Sequence, residues 1–146
     1  MNDNTLVGNV SYIEGYRTTR TGAAELTFTI KVDNGYYDSQ RRWINDPVKV
    51  RVIAYNRLAE NLQTTFAGHE KNGVGVRVIV IGRFRDDSYV PAGKDYPVNR
   101  IKFVTSTGGA DLTYATAVIT KTGKTTTERG NENNREQLTT PVAAAA

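Results

Sequence analysis

The eight residues from Val48 to Tyr55 show the chain's chemistry most openly. In Val48-Lys-Val-Arg-Val-Ile-Ala-Tyr55 the period-two alternation of a strand puts Val48, Val50, Val52 and Ala54 on one face. Lys49, Arg51, Ile53 and Tyr55 then share the other. That second face sets two cations and an aromatic ring in a row, a combination that tracks a sugar-phosphate chain and stacks on unpaired bases. Groups for making or breaking bonds are harder to find. The only histidine, His69, sits in the turn-like Gly68-His-Glu-Lys71, and no second histidine or cysteine exists to share a metal. It is expected to be a solvated loop residue. Asp86-Asp87 hints at a divalent cation, but a hairpin bearing surface charge is the simpler account. No catalytic residue, metal or cofactor is expected.

Further cations accompany Lys49 and Arg51. Lys31, Arg77, Arg83, Arg85, Arg100 and Lys102 fall on the expected outer faces of strands, Arg17 and Arg20 in the first turn region, and Arg41 and Arg42 beside Trp43. The net charge is +4, and most of the excess lies in the first 120 residues, which carry 15 Lys and Arg against 12 Asp and Glu. A basic balance favours polyanionic partners without naming one. The chain has no cysteine, hence no disulfide or thiolate chemistry. Met1-Asn-Asp-Asn-Thr lacks the regions of a signal peptide, and no apolar run approaches the roughly 18 residues of a membrane helix. A cytoplasmic location is expected, with no membrane partner.

Several short elements must position these groups. Strands are predicted over Thr5–Val10, Glu25–Val32, Val48–Tyr55, Val76–Phe84 and Val98–Ser106, separated by turn signals at Thr21-Gly22, Asp33-Asn-Gly35, Asn72-Gly73 and Ala92-Gly93. Leu58, Ala59, Leu62 and Phe66 form an apolar helical stripe, with Asn56 as N-cap and an end near Gly68. Five strands with a helix between the third and fourth is the order of an OB-fold, a small Greek-key barrel that binds oligonucleotides and oligosaccharides. In the fourth strand Val76, Val78, Val80 and Phe84 fill one face while Ile79 and Ile81 point the other way. With Ile53 these predict a covered outer surface, most simply a subunit interface. Asp111–Thr120 reads as an extra C-terminal strand. The fold class is thus all-β with one short helix, in one domain over 1–120. From 121 to 146 the composition is polar with almost nothing apolar, which predicts a disordered tail.

Four segments resemble the bacterial and phage single-stranded-DNA-binding (SSB) proteins: Val7-Gly-Asn-Val10, Val52-Ile-Ala-Tyr-Asn-Arg-Leu-Ala-Glu-Asn-Leu62, Val78-Ile-Val-Ile-Gly-Arg-Phe84 and Leu112-Thr-Tyr-Ala-Thr-Ala117. Their order and spacing also fit, over roughly residues 4–120. The last segment resembles the extra strand of the actinobacterial branch, where it helps to clamp subunits; Tyr114 lies in it. The resemblance implies an OB-fold, a homotetramer, and wrapping of single-stranded DNA without strong sequence preference during replication, recombination and repair. It places stacking aromatics at Tyr36, with Tyr37 beside it, at Tyr55 and at Tyr89. Lys49 stands where members of the family often carry a tryptophan, and the only tryptophan, Trp43, lies in the preceding loop. The family's tail usually ends in an acidic tip with an aromatic last residue. This chain ends Pro141-Val-Ala-Ala-Ala-Ala146, so recruitment of replication enzymes through such a tip is not expected; a phage-encoded or paralogous member, in the host cytoplasm, would fit.

These readings give one leading function and two competitors. The leading one is phosphate contact plus base stacking on single-stranded DNA, with no bond chemistry. A metal-dependent nuclease on an OB-like barrel would need a carboxylate cluster that only Asp86-Asp87 hints at. A module for single-stranded RNA or for another protein has the same outer face, because the 2′-hydroxyl contact is a local detail.

Overall fold

A computed structural model describes residues 3–123. The elements in chain order are β1 (Asn4–Thr18), β2 (Ala24–Val32), β3 (Tyr36–Tyr37), β4 (Trp43–Ile44), β5 (Val48–Tyr55), α1 (Asn56–Ala67), β6 (Arg77–Asp86) and β7 (Ile101–Ala110). Five strands close a barrel in the order β1-β2-β5-β7-β6, with β1 pairing β6 to complete the ring. All neighbours are antiparallel except β5 and β7, where Val52 faces Phe103 and Ile53 faces Val104 in parallel. This is the OB-fold expected from the order of elements.

Alternation explains both faces. On β2, Leu26, Phe28 and Ile30 are fully buried, and on β5 so are Val52 and Ala54. Val10, Val78, Val80 and Phe103 complete the barrel interior. Helix α1 closes one end by burying Ala59, Leu62 and Phe66, with the Phe66 ring meeting Phe28 edge-on at 5.4 Å. Each of the buried Val, Leu, Ile and Phe side chains contributes roughly 1.5–3 kcal/mol by leaving water, and the two alanines less.

The structure corrects several expectations. The first strand runs to Thr18 because two bulges, at Ser11 and Glu14, re-register it on β2. Each extra residue bends the strand and resets which side chains face inward. The fourth strand starts one residue late, at Arg77, and runs on to Asp86. The fifth is displaced: it begins at Ile101 and continues through Gly108 and Gly109, with a bulge at Ser106. At Gly82, opposite that bulge, a Cβ would run into the Val104 carbonyl, so the close approach of β6 and β7 requires glycine there. Phe84 does not fill the interior; it lies at the rim, exposed on one side and edge-on to Phe103 at 5.0 Å. The N-cap of α1 is Tyr55, extended and without a side-chain cap bond; Asn56 instead takes the left-handed turn, with φ of 59°. Residues 111–120 form no strand. The barrel is already closed, so its ring offers them no free edge; after a turn at 112–114 the chain leads to α1, where the Thr122 hydroxyl donates to Asn61 Oδ1 at 3.0 Å. Of the expected polar tail, residues 124–146 lie outside the described residues.

Candidate nucleic-acid interface

Two arms leave the same end of the barrel. One continues the β2–β5 ribbon beyond its last register pair, Val32 with Val48, and carries β3 and β4. The other continues the β6–β7 ribbon beyond Asp86 and Ile101, through the Tyr89–Val98 bridge. Because β5 and β7 are parallel, both ribbons turn at the same end, and the outer face of β5 lies between them.

Register places the outer residues in rows. Lys31 faces Lys49, Thr29 faces Arg51, and Glu25 faces Tyr55. On β1, Asn9 joins the first row, Tyr12 the second and Arg17 the third. Lys31 and Lys49 are both exposed, and neither has an ion-pair partner among the described residues. Like charges directly opposite each other in a sheet destabilise it unless an anion joins them. One row along, the cations are held. Arg51 Nε donates to Glu14 Oε2 at 2.8 Å and its Nη1 to Asp87 Oδ2 at 2.8 Å. Arg100 Nη2 lies 2.7 Å from the same Asp87 oxygen, and Lys102 Nζ lies 3.6 Å from Asp87 Oδ1. The Glu14 hydrogen bond and the nearby carboxylates hold the Arg51 guanidinium more firmly protonated than usual. Partial burial pushes the Asp87 carboxyl up, but Arg100, Lys102 and Arg51 together outweigh it and hold it below its ordinary value. Arg85 is in register with Lys102 and has no ion-pair partner among the described residues.

The aromatics lie on the arms and at the far end of β5. In the first arm the Asp38 carboxylate accepts the backbone N–H groups of Gln40 and Arg42, both at 2.9 Å, and Arg42 Nε at 3.2 Å. This turn returns Trp43 against Tyr37, ring centroids 5.0 Å apart and edge-on. Trp43 is 54% exposed and Tyr37 70%. Trp43 also covers Gly35, where a Cβ would run into the indole. Tyr36 is exposed beside them, paired with Ile44. On the second arm the Arg100 guanidinium lies 4.9 Å from the Tyr89 ring centre, covering one face of the ring. Tyr55 is half-buried, about 20 Å along the strand from Lys49 at ~3.3 Å per residue.

The structure therefore brings Tyr36, Tyr37, Trp43, Lys31, Lys49, Arg51, Arg85, Lys102 and Tyr89 around one end of β5. It sets two cations apart. Arg17 pairs with Glu25 at 3.0 Å, and Arg83 on β6 pairs with Asp3 at 3.0 Å. Tyr12, 60% exposed in the row of Arg51, is an aromatic that strand alternation missed, because it follows the first bulge. Arg100 is anchored by Asp87, and Asp86 by Ser88, whose hydroxyl hydrogen bond holds the Asp86 carboxyl below its usual range. Among the described residues no three His, Asp or Glu gather as a metal site. His69 is not simply solvated: its Nδ1 accepts the backbone N–H groups of Lys71 and Gly73, at 3.2 and 3.3 Å, and shapes the turn after α1.

The expected outer apolar surface divides. Ile79 and Ile81 are half-buried on β6, in register with Val7 and Thr5 of β1. Ile53, in register with Thr27 and Val104, is only 4% exposed within the single chain, which removes the reason for assigning it to a subunit contact. Tyr114 is 84% exposed, with Arg77 over its ring at 5.8 Å. Arg77 Nε in turn donates to Asp111 Oδ2 at 2.7 Å. The Thr113 hydroxyl, followed by Arg77, holds the Asp111 carboxyl below its usual range. No helix among the described residues is long and apolar enough to cross a membrane.

Comparison with known proteins agrees with this geometry. The small single-stranded DNA-binding protein from Streptomyces coelicolor superposes with a TM-score of 0.60 at 25% identity, over 76% of this chain and 94% of that one. The Plasmodium falciparum SSB, solved in complex with single-stranded DNA, gives 0.61 at 17% identity, over 76% and 93%. A deletion mutant of the single-stranded DNA binding protein from Thermus aquaticus gives 0.60 at 18%, over 78% of this chain and 52% of that one. The last two likenesses concern the fold alone. No protein of curated function matches the chain. The model of the Single-strand binding protein family matches residues 1–97, and the chain belongs to that family.

Proposed function

We propose that this protein binds single-stranded DNA without strong sequence preference, along the outer face of β5 and between the two arms. It acts as a binding protein in replication, recombination and repair rather than as an enzyme. The observation that carries this reading is the Lys31–Lys49 row. Two exposed lysines face each other without a carboxylate among the described residues, directly below an arm bearing three exposed aromatics. A phosphodiester chain satisfies the cations, and its bases reach the rings. Lys31, Lys49, Arg51, Arg85 and Lys102 are the phosphate contacts; Arg17 and Arg83 join only by leaving their carboxylates. Trp43, Tyr36, Tyr37, Tyr89 and Tyr55 supply stacking, each worth about 1–3 kcal/mol per base and tolerant of sequence. Copies of the chain associate into a homotetramer through the outer face carrying Ile79 and Ile81 and through Tyr114.

Titration with oligo(dT), followed by tyrosine and tryptophan fluorescence, tests the reading. Quenching that weakens as salt rises is expected, and matched oligo(U) and duplex DNA should compete less well. Equal or better binding of the RNA would move the function to RNA. Absence of binding at low salt would refute it. For the assembly, Ile79→Asp should lower the mass seen in sedimentation; an unchanged mass would remove Ile79 from the contact.

A further inference from the structure

Three cations from different parts of the chain converge on one carboxylate. Arg51 comes from β5, Arg100 from the second arm and Lys102 from β7, and all reach Asp87 within 2.7–3.6 Å. Glu14 takes the remaining Nε of Arg51. Two carboxylates thus serve three cations, and the group keeps a positive excess. A carboxylate and a phosphodiester present the same kind of anionic oxygen to a guanidinium fork, at the same 2.7–2.9 Å. The cluster adjoins the Lys31–Lys49 row on β5, and Arg100 also covers Tyr89. Arg51 is two residues along β5 from Lys49, about 7 Å at ~3.3 Å per residue, so a backbone on the lysine row comes within reach of the cluster.

We infer that Asp87 is a built-in competitor of the DNA backbone: its carboxylate holds Arg51, Arg100 and Lys102 where a phosphate belongs, and single-stranded DNA engages these cations by displacing it. The inference rests on the DNA-binding reading above. Asp87 lowers affinity and salt sensitivity in exchange for keeping the three cations ordered in the free protein.

The test compares oligo(dT) binding by the wild type, Asp87→Asn and Glu70→Gln across a salt series. Glu70 is an exposed carboxylate in the turn after α1 and pairs with none of Arg51, Arg100 and Lys102, so both variants add the same net charge and only Asp87→Asn frees the cluster. One freed cation per site steepens the log–log salt slope by about 0.7 and tightens binding about fivefold near 0.1 M salt. Asp87→Asn should show both changes, and Glu70→Gln less than a twofold gain. Asp87→Ser, which keeps a small polar group, should move in the same direction. Binding by Asp87→Asn that is unchanged, weaker, or no tighter than that of Glu70→Gln overturns the inference while leaving DNA binding intact. A wild type that fails to bind oligo(dT) at low salt overturns both.

Discussion

Two neighbouring rows on one strand face hold their cations in opposite ways. Lys31 and Lys49 face each other with no carboxylate among the described residues, so their charges repel. Arg51, one step along β5, is bound by Glu14 and Asp87, and Asp87 also ties down Arg100 and Lys102. In the proposed binding mode the lysine row meets a phosphate without first giving up a partner, whereas the arginine cluster must release one. Counting positive residues therefore overstates the number of strong phosphate contacts. What distinguishes them is the anion each cation already has.

Single substitutions distinguish the two kinds of cation and the rings above them. The largest effect on binding should come from the arm above the lysine row. Trp43→Ala should weaken oligo(dT) binding by about 1–3 kcal/mol in fluorescence or calorimetric titration, with the salt slope unchanged. A changed slope would mean that Trp43 acts through the cations beside it. Tyr55→Ala should cost less, at the lower end of that range, because its ring is half-buried. Arg51→Ala should weaken binding by less than the roughly fivefold expected of a free cation near 0.1 M salt, because the wild-type contact already competes with two carboxylates. A full fivefold loss would show that Glu14 and Asp87 offer no competition.

The smallest effect concerns stability. Asp86, Asp87 and Asp111 have carboxyls held below their ordinary value, so each stabilises the fold at pH values above the unfolded pKa near 3.8. That stabilisation is lost as pH falls through the lower folded values. Thermal unfolding should be insensitive to pH between about 7 and 5 on their account and fall below about 4. Asp111→Asn should flatten that acid limb slightly; an identical limb would place the titration elsewhere.

How much of this was legible in the sequence depended on regular alternation. Residues 26–32 and 48–55 alternate without interruption, so both faces could be read directly, with Lys31 and Lys49 on the outer one; that they face each other came only with the register. The stripe from Leu58 to Phe66 located α1 in the same way. Where bulges intervene the signal fails. On β1 the residues paired with inward-facing Ile30, Phe28 and Leu26 are Val10, Ile13 and Tyr16, a spacing of three that no strand pattern anticipates. Tyr12 was lost for the same reason. Gly108 and Gly109 lie beyond the predicted fifth strand, yet they continue β7, in register with Val80 and Ile79 of β6. The Asp87 cluster was unreadable for a different cause. Its partners lie 36, 13 and 15 positions away in sequence, and only barrel closure with β5 parallel to β7 brings them together. Ile53 shows the limit of face assignment, since outward on a strand is not the same as exposed.

The most direct test of the account is the salt dependence of oligo(dT) affinity for the wild type and for Lys31→Gln/Lys49→Gln. Two free phosphate contacts predict that the double variant's log–log slope is shallower by about 1.4 and its affinity about 25-fold lower near 0.1 M salt. A slope equal to that of the wild type would contradict the account, because the strand would then pass elsewhere on the barrel.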